Sequence, residues 1–158
     1  MFKFAIEQIK PVSENPVQAF YTDKFQLFDI IEVVLSQVNH CKRLTLTSFS
    51  ISEEFVRKIF RFREQFELNS VDLFLDTKAA TKVSKLNLFI KNTFDEVYLT
   101  NNHGKVILFD SDPCVSICTS QNQTRGNRKE SHIILTDLVC FKTFSTSIQE
   151  MKQTAVKL

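Results

Sequence analysis

Leu27, Phe28, Ile30, Ile31, Val34, Leu35 and Val38 recur at the spacing of one helical face, the clearest periodic signal in the chain. The pattern predicts a core helix running to about His40, with Thr22 or Asp23 as its cap. Ahead of it, Phe2, Phe4 and Ile6 alternate, which predicts an opening strand that the prolines at 11 and 16 then break. After it, Leu44 and Leu46 alternate with Thr45 and Thr47, a strand over 43–49. Ser50 with Glu53 forms a capping box for a second helix, which turns Phe55, Val56, Ile59 and Phe60 inward. Residues 71–76 read as a short buried strand. Residues 77–92 read as one amphipathic helix with Val83, Leu86, Phe89 and Ile90 apolar, and residues 96–99 as a further strand. A strand over 132–135 follows later. Thr136 or Asp137 then caps a closing helix through Leu138, Phe141, Phe144 and Ile148. Strands alternating with helices predict an α/β fold, a mixed β-sheet layered with helices, as one domain over 1–158.

Between 101 and 122 the pattern tightens into a β-hairpin. Residues 105–109 are apolar and β-branched, Asp110-Ser111-Asp112-Pro113 are turn formers, and 114–120 resume the strand pattern. An antiparallel hairpin excludes an all-parallel sheet. A four-residue loop would set Phe109 opposite Cys114, Ile107 opposite Ser116, Lys105 opposite Cys118 and His103 opposite Ser120. Alternation then gathers His103, Lys105, Ser120 and Asn122 on one face, the first two roughly 7 Å apart. Val106, Leu108, Val115 and Ile117 would form the opposite, buried face, and Asp110 has the wrong parity to join the polar four. A slip of one residue would undo this arrangement.

Such a face suits a phosphate or similar oxyanion. Lysine supplies positive charge, while serine and asparagine supply neutral hydrogen-bonding groups. Histidine beside them serves as nucleophile or as acid and base near neutral pH. A lone His-x-Lys would read as an ordinary polar strand edge; four compatible groups on one face read as a site. No carboxylate pair accompanies them, so no metal cage and no cofactor is expected.

Composition adds bounds. At 158 residues, 43% apolar and 24% charged, the chain has the makeup of a soluble globular domain. Sixteen phenylalanines, no tryptophan and only two glycines imply a Phe-packed interior. A net charge of +2 is too small to announce a nucleic-acid binder, so a basic patch must be local. Candidates are Arg125, Arg128 and Lys129, on a polar loop over 121–129. Arg57, Lys58, Arg61 and Arg63 read as a solvated helix face, and Lys78, Lys82, Lys85 and Lys91 as spread round the outside of theirs. No apolar run is long enough to span a membrane, and the first residues lack a signal peptide's apolar stretch, so a cytoplasmic protein with no membrane partner is expected. Cys41, Cys114, Cys118 and Cys140 have no close-pair spacing and are expected as buried free thiols rather than zinc ligands with His40 or His132.

His103-x-Lys105-x4-Asp110 and the later Thr119-Ser120-x-Asn122 resemble the signature of the phospholipase D superfamily, His-x-Lys-x4-Asp-x6-Gly-Ser-x-Asn. Asn127-Arg128-Lys129-Glu130 resembles the Asn-x-Glu region that follows, one residue longer. The chain departs from the family in carrying Thr119 in place of glycine and in carrying the motif once, where many members carry it twice. The resemblance implies a phospholipase D-like α/β domain from about Leu27 onward. It also implies phosphodiester cleavage without metal, through a phosphohistidine intermediate. In that scheme two motifs meet across a twofold axis; one histidine attacks phosphorus and the other protonates the leaving oxygen. A chain with one motif would then work as a homodimer. Lys105 and Asn122 would hold the nonbridging oxygens with Ser120 assisting, Glu130 would orient a histidine, and Asp110 would brace the turn after the strand. Single-motif members include bacterial endonucleases, so an endonuclease acting on DNA is the implied function. The alternative is a noncatalytic module of the same fold that binds nucleic acid or a partner protein, which Thr119 keeps open because a β-branched residue crowds a tight site.

Overall fold

A computed structural model describes residues 2–124 and 126–158. The helices are α1 (Phe2–Gln8), α2 (Leu27–Gln37), α3 (Glu53–Gln65), α4 (Ala80–Lys85), α5 (Asn87–Thr93) and α6 (Leu138–Thr154). The strands are β1 (Val17–Thr22), β2 (Asn39–Ser48), β3 (Ser70–Asp76), β4 (Glu96–Thr100), β5 (Val106–Asp112), β6 (Val115–Thr119), β7 (Glu130–Leu135) and β8 (Val156–Lys157). They form one eight-stranded sheet in the order β1-β7-β6-β5-β2-β3-β4-β8. β2, β3 and β4 run parallel, and the other pairings are antiparallel. The expected mixed, layered α/β architecture is therefore the one observed.

The two sheet faces bury different helices. Leu44, Leu46, Val71, Leu73, Leu75, Ile107, Phe109, Val115 and Ile117 belong to the main core, with Ile30, Ile31 and Val34 of α2 and Phe55, Val56 and Ile59 of α3. On the other face Phe74, Tyr98 and Leu108 pack with Ile148 of α6. Because β2 is buried under both layers, only its ends and the loops around them are open to a ligand.

Several expectations need correction. The opening segment is a helix, because Ala5 and Ile9, four apart, are the buried positions while Phe4 and Ile6 are 40% and 49% exposed. β1 was hidden from the pattern, since Gln18 is its buried residue and Val17 and Tyr21 face outward. That strand takes Thr22, so neither it nor Asp23 caps α2; Gln26 does, its backbone N–H donating to Asp29 Oδ2 at 2.8 Å. The cap of α3 is Ser52 rather than Ser50, and Phe62 completes the inward face in place of Phe60. The helix expected over 77–92 is a 3-10 turn (Thr77–Ala79) followed by α4 and α5, broken at Leu86. Asp137 is the cap of α6, accepting from Cys140 N at 2.7 Å. All four thiols are free, but only Cys41 is fully buried, and burial pushes it up to about 12.

The hairpin register also differs by one. Phe109 pairs with Val115 and Ile107 with Ile117, because the connection is one residue longer than predicted. Ser111 Oγ donates to Pro113 O at 2.9 Å and Cys114 Sγ to Ser111 O at 3.2 Å, which closes that longer loop. The slip moves Val115 and Ile117 onto the side of Ile107 and Phe109, away from Val106 and Leu108. The 110-to-119 interval exceeds that of the family signature by two residues. An even insertion into the hairpin, whose turn lies at the far end from Lys105, preserves strand parity beside the motif.

Candidate active site at the end of strand β2

The predicted site residues do not share one hairpin face as expected, because Thr119 rather than Cys118 lies opposite Lys105. The segments that carry His103, Lys105 and Asn122 meet the last residues of β2, which runs between antiparallel β5 and parallel β3, while Ser120 bonds to β7. Carboxyl ends of parallel strands at such a change of direction are where open α/β sheets bind ligands. Thr47 Oγ1 donates to Gly104 O (3.2 Å) and accepts from Val106 N (2.9 Å), pinning the chain on either side of Lys105. Ser48 Oγ lies 3.5 Å from Asn122 Oδ1 and accepts from Gln123 N at 3.1 Å, so it holds the second motif half. Phe49 meets the His103 imidazole edge to face, centroids 5.0 Å apart. Successive residues of one strand end thus touch the Lys105, Asn122 and His103 segments in turn.

His103 is exposed and precedes β5 in a segment without regular secondary structure. Asn102 shapes that segment: its Oδ1 accepts from Gly104 N (3.0 Å), its Nδ2 donates to Gly104 O (3.1 Å), and its N–H donates to Asp76 Oδ2 (3.2 Å). The buried Asp76 carboxylate also accepts from Lys78 N (2.9 Å), tying the histidine loop to the turn before α4. Lys105 Nζ donates to His103 O at 2.9 Å. Ser120 is exposed and donates to Glu130 Oε2, while its Oγ accepts from Ser131 N at 3.0 Å. Glu130 therefore braces a serine here, and its carboxylate also acts on the buried His132. Asp110 lies at the other end of β5, opposite Arg43 of β2, away from the motif histidine. Arg128 and Lys129 are exposed, with Lys129 Nζ 6.0 Å from the Tyr21 ring, and Arg125 lies outside the described residues.

Thr119 is tied to β7. Its hydroxyl accepts from Gln121 N (3.0 Å) and bonds His132 Nδ1 (2.8 Å), so the β-branched residue has a partner on β7. His132 is completely buried, and desolvation pushes it down to about 4, with the Glu130 carboxylate opposing that shift. It is neutral at physiological pH and acts as a structural group. Sequence reasoning missed Thr47, Ser48, Phe49, Asn102 and Asp76; the one available signal was their position at or after strand ends. Among the described residues no three His, Cys, Asp or Glu side chains form a metal-binding group. No helix among those residues is long and apolar enough to cross a membrane.

An imidazole, an asparagine and the segment that carries Lys105 thus meet one strand end, and groups of these types suit a tetrahedral oxyanion. The fold that presents them is the phospholipase D fold. No protein-family model and no curated protein matches the sequence. Solved structures do. Nuc, a phospholipase D family member from Salmonella typhimurium, is similar at TM-score 0.69 and 15% identity, over 90% of this chain and 97% of that one. NucT from Helicobacter pylori is similar at TM-score 0.68 and 17% identity, over 90% and 98% of the two chains. TrmBL2, an archaeal chromatin protein with a novel mode of DNA binding, is similar at TM-score 0.66 and 15% identity, covering 99% of this chain and 58% of its own.

Proposed function

We propose that this chain is a metal-independent phosphodiesterase, an endonuclease acting on DNA in the cytoplasm, with His103 as the nucleophile. The observation that supports the reading is the end of β2, where Ser48 contacts Asn122 and the next residue, Phe49, contacts His103. His103 attacks phosphorus and forms a phosphohistidine as the P–O bond to the leaving oxygen breaks. The single motif histidine of this chain then needs an acid, and His103 of a second copy supplies the proton to the leaving oxygen. Water later attacks the phosphohistidine, giving up its proton to that second histidine and returning both groups to their starting states. Lys105 swings from His103 O to the nonbridging oxygens, and Asn122 donates from its amide while Ser48 keeps it in place. Ser120, held by Glu130, assists Lys105 and Asn122 at those oxygens in this reading.

Turnover of bis(p-nitrophenyl) phosphate by the wild-type chain, abolished by His103→Ala, tests this reading. A second reading is a noncatalytic DNA-binding module. It is favoured by Lys105 resting on a backbone carbonyl and by the likeness to a chromatin protein. A chain that binds oligonucleotides but turns over neither the activated diester nor DNA would establish that second reading.

A further inference from the structure

Lys78, Lys82 and Lys85 follow one another at i, i+4 and i+7, a spacing that puts them on one side of the turn-and-helix segment after β3. The heads of Lys78 and Lys82 meet the residues that follow the end of β2. Lys78 Nζ lies 6.0 Å from the centroid of Phe49, the ring whose other neighbour is His103. Lys82 Nζ donates to Ser50 Oγ at 3.0 Å. Lys82 and Lys85 border a cavity of about 310 Å³ whose other walls are Ile51, Ser52, Glu53 and Leu86. Glu53, the carboxylate in that wall, is held by Arg57 at 2.5 Å. Elsewhere Arg43, Arg63, Lys152 and Lys157 are likewise paired with carboxylates, whereas among the described residues none pairs with these three lysines. Like charges at helical spacing destabilise a segment unless an anion lies across them. Plain solubility would account for lysines pointing into solvent, but not for two of them leaning on Phe49 and Ser50.

We infer that Lys78, Lys82 and Lys85 bind successive phosphates of one nucleic-acid strand flanking the bond to be cut, a strand that runs from His103 past Phe49 and along the cleft between α3 and α4. This rests on the nucleic-acid reading above and adds where the substrate lies. The track makes affinity grow with strand length on one side of the cut, and it makes binding salt-dependent through these residues.

The test measures binding of a labelled single-stranded 20-mer by fluorescence anisotropy between low and moderate salt, on the full chain. Three chains are compared: wild type, Lys78→Gln/Lys82→Gln/Lys85→Gln, and a charge-matched control, Lys10→Gln/Lys24→Gln/Lys142→Gln. Removing three single-strand phosphate contacts should lower the slope of log affinity against log salt by about 2 and weaken binding up to about a hundredfold at 0.1 M salt. The control should keep the wild-type slope. Each single replacement in the track should remove about a third of the effect, which keeps the test intact if the triple variant folds poorly. A track variant with the slope of the control overturns this inference alone. A wild-type chain that fails to bind the strand at low salt overturns the nucleic-acid reading and this inference with it.

Discussion

Lys105 and Asn122 can be removed without touching the core, since both are only part-buried at the rim of the sheet. Replacing either with alanine should lower turnover of bis(p-nitrophenyl) phosphate by about a hundredfold, the size of an oxyanion-hole deletion, while the melting temperature stays near wild type. His132 behaves in the opposite way: it carries stability and no chemistry. Its folded-state value of about 4 lies below the ordinary 6.5, so the unfolded chain takes up its proton first as pH falls. Its contribution is complete above about pH 6.5, declines as pH falls toward 4, and levels off below that. The full loss is about 3 kcal/mol. Urea unfolding of wild type and His132→Asn at pH 7 and pH 4.5 should show the gap in stability narrowing at the lower pH; a constant gap would mean that His132 does not titrate in this window. Thr119→Val should cost about 1–3 kcal/mol, because it leaves buried His132 Nδ1 and the Gln121 N–H without a partner.

At the scale of elements, the end of β2 decides whether the two motif halves meet. Ser48 Oγ donates to Ser50 O (2.7 Å) and accepts from the N–H groups of Ser50 and Gln123, so it fixes both the exit from β2 and the loop that carries Asn122. Ser48→Ala strips those donors of their acceptor in a fully buried place. It should cost about 1–3 kcal/mol. It should also lower kcat by up to about a hundredfold through misplacement of Asn122, with binding of the oligonucleotide largely kept. Steady-state kinetics with the activated diester separates the two: equal loss in binding and turnover would mean general disruption of the site. The far side of the sheet is closed by a different device. Glu96 of β4 is held down to about 2 by hydrogen bonds from Lys152 and Lys157, which pins the end of α6 and β8 to the edge of the sheet.

At the scale of the whole molecule, the chemistry proposed for one histidine requires a second copy. Light scattering at micromolar concentration should report about twice 18.3 kDa; a strict monomer that still cleaves DNA would rule out the shared site. Mixed dimers sharpen the test. One wild-type chain with one His103→Ala chain keeps a nucleophile but loses the acid, so DNA cleavage should fall by about a hundred- to ten-thousandfold. The p-nitrophenyl ester expels a stable anion and should still give a first-turnover burst. A mixed dimer that cuts DNA at half the wild-type rate would mean that each chain holds a complete site. Activity should also survive EDTA, because the cations of the proposed site are lysines; loss restored by magnesium would assign the charge stabilisation to a metal instead.

By itself the sequence determined the helical core stripe of α2, strands β2 to β4, the hairpin, and the presence of His103, Lys105, Ser120 and Asn122 near one another along the chain. Those features depend on periodicity and on covalent neighbours, which a linear pattern records. It misplaced the opening helix and missed β1, because Phe4 and Ile6 are apolar yet exposed and Gln18 is polar yet buried. Only the tertiary structure decided how the site is gathered. Hairpin register depends on loop length, and a one-residue difference sent Val115 and Ile117 to the opposite face from the one predicted. Ser48 and Phe49 reach Asn122 and His103 across sequence separations of 74 and 54 residues, through strand pairing that no local pattern specifies. The same holds for Lys78 and Lys82, which read as ordinary solvated lysines along the chain and lie beside Phe49 and Ser50 once β3 pairs with β2.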